Sequence, residues 1–148
     1  MSATTYRAPV RQRVADTVLG FLVRHGRGPD FMRILTVQGR RTGQPHATPV
    51  VPVERDGRLW LVSPFGEVSW VRNVRAGSDV ELSRGGDRRR YRAQELAAPD
   101  AVPVLRTYLS MPSERFVRKD FDVTARSSDA EIEAEAARHP VFALTPPA

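Results

Sequence analysis

Hydrophobic and polar positions follow two periods along this chain, and the switch between them marks its organisation. From residue 10 to residue 23 the apolar side chains Val10, Val14, Val18, Phe21 and Leu22 recur near helical spacing while Arg11, Arg13 and Arg24 fall elsewhere, which predicts an amphipathic helix. Gly26, Gly28 and Pro29 end it. Strand composition then takes over at 31–37, at 47–54 and at 59–62. The polar turn Gly39-Arg40-Arg41-Thr42-Gly43-Gln44-Pro45 joins the first two of these strands and an Asp56-Gly57 hairpin joins the last two, so a three-stranded meander is expected. Residues 68–76 read as a short helix with Gly77 available to end it. Two more strands, 79–83 and 88–96, meet at Gly85-Gly86-Asp87. Helical spacing returns over 101–109 and 129–138, the second opening on Ser127, Ser128 and acidic residues. Residues 139–144 form a final strand. The pattern predicts one α+β domain over 1–148, a small antiparallel barrel with peripheral helices, a helical segment at 1–28 and a frayed tail at 145–148.

Composition narrows the chemistry. The chain has 148 residues, 41% of them hydrophobic, which suits one domain with a core of ordinary size. There is no cysteine, so disulfides, thiolate metal sites and cysteine nucleophiles are excluded. Arg7, Arg11, Arg13, Asp16 and Arg24 break up the N-terminal apolar positions, so neither a signal peptide nor a spanning helix is expected, and the protein is read as cytoplasmic. A basic first helix is compatible with peripheral contact with an anionic membrane on its inner face. Twenty-three basic against seventeen acidic residues give a net charge of +6, nearly all of it guanidinium because Lys119 is the only lysine. Arginine favours forked contacts to phosphates and carboxylates, so the excess suits an anionic partner of some kind.

Within that frame, the turn Arg40-Arg41-Thr42 sets two guanidinium groups and a hydroxyl between glycines, which is a good anion cradle or else a solvated hairpin tip. The prolines of Thr48-Pro49-Val50-Val51-Pro52 deny ladder donors and point to an irregular or edge strand against which a flat ring could lie. Ser63-Pro64-Phe65-Gly66 runs into a helix start, whose unpaired amides attract phosphate. On that helix Trp70, Asn73 and Val74 share a face, and a buried Asn73 amide would need partners. The five arginines between Arg84 and Arg92 read as an exposed basic hairpin, and no nucleic-acid partner is expected. His25, His46 and His139 lack metal-ligand spacing, so no metal is expected, and no Gly-x-Ser-x-Gly elbow supports a serine nucleophile.

In their order and spacing, the blocks 35–45, 48–50, 63–67 and 70–77, with the ending Arg138-His139-Pro140-Val141-Phe142, resemble the deazaflavin-dependent nitroreductase family. The resemblance runs from about Phe31 through Leu144 and implies a split β-barrel of the FMN-binding type. It also implies coenzyme F-420, an 8-hydroxy-5-deazaflavin, as hydride carrier to an organic acceptor such as a quinone or nitro compound. By the same resemblance Arg40, Arg41 and Thr42 correspond to the phosphate grip. The stretch His46, Ala47, Thr48, Pro49, Val50 and Val51 corresponds to the strand along the ring. Leu61, Val62, Ser63 and Pro64 correspond to the strand end beside it, with Ser63 placed to orient the acceptor. The helix closing the groove corresponds to Ser69, Trp70, Val71, Arg72 and Asn73. Better-known members carry arginine and lysine at the positions of His46 and Pro64, and Arg72 or Arg75 could substitute. Tyr108, Phe116 and Phe121 are candidate walls of the acceptor pocket or ordinary core aromatics. The alternatives are an FMN-dependent oxidoreductase on the same barrel and a non-catalytic carrier of haem, a pigment or a fatty acid. A homodimer is expected, since split barrels of this size commonly complete their grooves across a two-fold interface.

Overall fold

The computed structural model describes Gly26 and residues 29–147, so the helix expected over 10–23 lies outside the described residues. The strands are β1 (Arg33–Gln38), β2 (Pro45–Val50), β3 (Val53–Arg55), β4 (Arg58–Val62), β5 (Asp79–Arg84), β6 (Asp87–Glu95) and β7 (Val141–Thr145). The helices are α1 (Ser69–Ala76), α2 (Ala98–Leu109) and α3 (Asp129–Ala136), with short 3-10 turns at Pro112–Phe116 and Arg118–Asp120. The strands form a seven-stranded sheet in the order β2-β1-β5-β6-β7-β4-β3, and every pairing is antiparallel.

That order forces a curl. β2 and β3 are the two edges of the sheet, yet only Val51 and Pro52 separate them in sequence. Three Cα steps reach at most about 11 Å, whereas a flat sheet of this many strands would hold its edges roughly 29 Å apart. The sheet therefore bends into a half-barrel whose edges meet along a seam. The expected single strand at 47–54 is in fact two, because Pro52 has no amide hydrogen to continue a ladder. The expected meander is likewise replaced by two hairpins on opposite edges. In the second hairpin Asp56 and Gly57 both have positive φ, 53° and 75°, as a two-residue turn matched to strand twist requires. Gly77 ends α1 as expected, in an extended conformation with its amide bonded to the Asn73 backbone carbonyl at 3.0 Å.

Strand alternation sorts the apolar residues into two cores. Along β4, Leu59 and Leu61 face the inside of the barrel while Trp60 and Val62 face out. The inner core joins Leu35, Val37, Leu61, Val80 and Phe142 to Trp70, Val71 and Val74, so α1 plugs one end of the barrel. The outer core sets Val53, Val62 and Val141 beneath Leu105 of α2 and Ile132 of α3. The start of α3 carries a capping box: Ser128 Oγ accepts from the Glu131 amide at 3.2 Å and the Glu131 carboxylate accepts from the Ser128 amide at 3.0 Å. Ser128→Ala should therefore cost about 1 kcal/mol of stability, measurable by urea unfolding, because it orphans a first-turn donor above the buried Ile132.

Candidate functional site

The turn between β1 and β2 is built to hold its shape. Gly39 donates to the Gln44 carbonyl at 2.7 Å and Gly43, at φ 72°, donates to Gly39 at 2.9 Å. A Cβ on Gly39 would stand 2.7 Å from His46 Nε2, so any side chain there would drive the imidazole off the turn. Arg40 is pinned from across the barrel end. Its amide and its Nη1 both donate to Asn73 Oδ1, at 3.1 and 2.8 Å. Asn73 is only 3% exposed, so its partners are the ones a buried amide oxygen needs. Arg41 and Thr42 stand exposed beside this anchor, with Thr42 Oγ1 accepting from the Gln44 amide at 3.2 Å.

From the turn, β2 runs along the seam as an edge strand. His46 and Ala47 are exposed, and Thr48, Pro49, Val50 and Val51 are partly buried. Ser63–Gly66 and the start of α1 lie at the same end of the barrel. Pro64 and Arg72 are partly buried and Ser69 is exposed. No side chain caps α1 and no acid stands in its first turn, which leaves that end electropositive. Arg75, by contrast, is engaged with Glu95 at 2.8 Å and Glu67 at 3.0 Å, and the Glu95 hydrogen bond leads in raising its pKa. Of the two arginines considered as substitutes for the missing cations, Arg72 is the one without such a pair.

Other expected contacts fall differently. Ser63 is fully buried and its hydroxyl donates to the Gly66 carbonyl, so it does not face the seam as an acceptor-orienting donor would. Leu61, Val62, Trp70 and Val71 are buried in the two cores and can offer a ligand little but backbone. Tyr108 and Phe121 belong to the outer core, 5.9 Å apart between ring centroids, where burial first and Asp120 second push the phenol pKa up. Both are buried in the core between α2 and the outside of the barrel, Tyr108 from α2 itself, so they stand as core aromatics away from the seam. Phe116 is 60% exposed under the Arg115 guanidinium. In the basic hairpin, Arg88 meets Glu81 and Arg89 meets Asp87, each at 3.3 Å.

A cavity of about 670 Å³ opens at the opposite barrel mouth, lined by Arg33, Arg84, Arg89, Tyr91 and Leu144 among others. Its only advance signal was alternation along β6, which puts Arg89, Tyr91 and Ala93 on one face. Arg33 and Arg84 donate there to backbone carbonyls of Pro29, Asp30 and Met32. Among the described residues no cluster of His, Asp or Glu suits a metal ion, and no helix is long and apolar enough to cross a membrane.

A family model described as F420H2-dependent quinone reductase matches residues 10–132. No curated protein matches the chain. Among solved structures, an F420-H2 Dependent Reductase (FDR-A) is 20% identical, covers 78% of this chain and 95% of its own, and has a TM-score of 0.56. A domain-swapped dimer is 18% identical over 92% of this chain and 96% of its own, with a TM-score of 0.57. A NimC/NimA family protein from Clostridium acetobutylicum is 16% identical over 87% and 78%, with a TM-score of 0.52. These likenesses bear out the split-barrel fold.

The anchor between turn and helix yields a direct test. Asn73→Leu should cost roughly 1–3 kcal/mol in a chemical unfolding curve, since it deprives the Arg40 amide of its acceptor and α1 of its tie to the turn. Arg41→Ala, on an exposed and unanchored neighbour, should stay within about 0.5 kcal/mol of the parent.

Proposed function

The chain belongs to the F420H2-dependent quinone reductase family, whose coenzyme is F-420, and from that premise we propose that the seam beside β2 holds the reduced coenzyme for hydride transfer to an organic acceptor. The observation that carries this reading is the anchored turn: Arg40, held by Asn73, with Arg41 and Thr42 exposed beside it, next to an uncapped helix start at the open edge of the sheet.

The residues present fit such a ligand. Arg40 is oriented by Asn73, and together with Arg41 and Thr42 it offers charge-assisted hydrogen bonds to a phosphodiester. Arg72 supplies the positive charge that His46 and Pro64 do not. His46 to Val51 give a flat ring one wall, and the Ser63–Gly66 turn gives its edge a fixed rest. Ser63 acts here through shape, since its hydroxyl is engaged within the turn. When bound, the coenzyme supplies a two-electron hydride donor, so the protein's part is binding, alignment and exclusion of water. A quinone or nitro compound is the acceptor class in this reading. A homodimer belongs to the same proposal, supported by the domain-swapped dimer among the fold neighbours.

Two measurements test it. Fluorescence titration through Trp60 and Trp70 should give tighter binding of reduced F-420 than of FMN; equal or tighter FMN binding would move the chain to the flavin alternative. Arg41→Ala should raise the coenzyme dissociation constant about tenfold with the melting curve unchanged, and the loss should shrink with rising salt. An unchanged constant would return the turn to a solvated hairpin tip.

A further inference from the structure

Behind the Ser63–Gly66 turn lies a buried acid–imidazole pair that the function above does not use. Glu135, near the end of α3, is 2% exposed, and His139 is 5% exposed. Glu135 Oε1 lies 3.1 Å from His139 Nε2 and also accepts from the Asp122 amide at 3.3 Å, while Oε2 accepts from Arg138 at 2.6 Å. The imidazole stacks on Phe121, with centroids 3.9 Å apart and planes at 20°. Its Nδ1 lies 3.1 Å from the Ser63 carbonyl. Both nitrogens and one face of the ring are thus engaged, and Nδ1 reaches the end of β4.

The grip is reinforced along the same segment. The Ser63 amide donates to the Pro140 carbonyl at 2.9 Å, and the Ser63 hydroxyl closes the turn onto Gly66. Gly66, whose φ of 82° strains any other residue, lies against the same segment, and a Cβ there would come into ordinary contact with the Arg138 carbonyl at 3.4 Å. Residues 138–140 therefore form a bed for the turn, and the Glu135–His139 pair fixes the bed to α3. A buried pair of this kind is a poor way to gain stability, because desolvation offsets most of the attraction and an apolar replacement often does as well. What it supplies is a single geometry: with a hydrogen on each nitrogen the ring donates to the Ser63 carbonyl on one side and to the Glu135 carboxylate on the other, and only one ring orientation reaches both.

We propose that Glu135 and His139 are positioning residues of the hydride-transfer site, setting through the Ser63 carbonyl where the rest for the ring edge stands. The inference rests on the reading of the seam as the coenzyme site. Two variants of His139 separate its two bonds. In His139→Asn the amide nitrogen takes the place of Nδ1 and keeps the bond to Ser63, whereas in His139→Gln it takes the place of Nε2 and keeps the bond to Glu135.

The experiment compares them in the full chain by two readouts, hydrogen exchange at the amides of residue 63 and residues 65–68 without coenzyme, and steady-state oxidation of reduced F-420 with menadione as acceptor. His139→Gln should speed exchange in the turn at least about tenfold over His139→Asn, with β5 amides alike in both. It should also lower kcat by about tenfold to a hundredfold while the KM for coenzyme changes little, the signature of misalignment rather than lost binding. His139→Asn should restore most of kcat at a similar melting temperature. Equal exchange in the two variants, or losses that simply follow melting temperature, would overturn the proposal. If the parent chain fails to oxidise reduced F-420, the function proposed above falls and the role in hydride transfer with it, while the exchange comparison still decides whether the pair sets the Ser63–Gly66 turn. Should neither variant fold, Glu135→Gln, which keeps the shape and removes the charge, should show the same faster exchange confined to the turn, and unchanged exchange there would overturn the proposal.

Discussion

The whole molecule depends on one steric constraint, the two-residue link Val51-Pro52 between strands at opposite edges of the sheet. Neither residue can stretch to span a flat sheet, so chain connectivity alone demands the curl. From the curl follow an inside and an outside, and hence two cores separated by the same strands. From it also follows the seam, the one line along which the sheet brings its edges together without closing a ladder between them. A helix is then needed to plug the barrel end nearest the β1–β2 turn, and α1 does so with Trp70, Val71 and Val74.

Polar groups finish what the curl begins. The hydrophobic plug sets α1 over the barrel but does not fix its rotation relative to the turn. The Asn73 side-chain oxygen does, by taking two donors from Arg40, one from the backbone and one from the side chain. On the other flank the segment 138–140 performs the same task for the end of β4. The candidate site thus lies between two independent locks, one neutral amide and one buried acid–imidazole pair. Each ties a loop to a helix that is remote in sequence. This arrangement suits a reaction in which alignment, rather than a reactive side chain, is what the protein contributes.

Much of this was legible in the sequence where the information is local. Alternation located β5 and β6 within a residue or two, Asp56-Gly57 announced its hairpin, and Ser128 announced α3. The prolines correctly marked β2 as an edge. What stayed hidden is long-range. No periodicity says that β4 pairs with β7 and not with β1, so a meander was the natural reading of three successive strands. The burial of Asn73 could be suspected from its helical face, but its partner lies 33 residues away. Ser63 shows the same limit from the other side: its type and place suggest a donor, and only its neighbours determine that the hydroxyl turns inward to Gly66. Nothing local marks Glu135 and His139 as a buried pair, because helical spacing cannot report that a third element covers them.

The prolines of β2 also decide what the open edge can accept. The Gln44 carbonyl points to Gly39 across the turn, so strand parity turns Pro45, Ala47 and Pro49 away from β1 and toward the seam. Of those three positions only Ala47 has an amide hydrogen, so the free edge displays three carbonyl oxygens and a single donor. Such an edge cannot complete the ladder of another strand, which protects the barrel from growing by edge-to-edge addition to a second chain. It remains available to a compact molecule that brings its own hydrogens. The residues that break the β pattern therefore keep this edge from pairing with another strand while leaving its carbonyl oxygens open to donors.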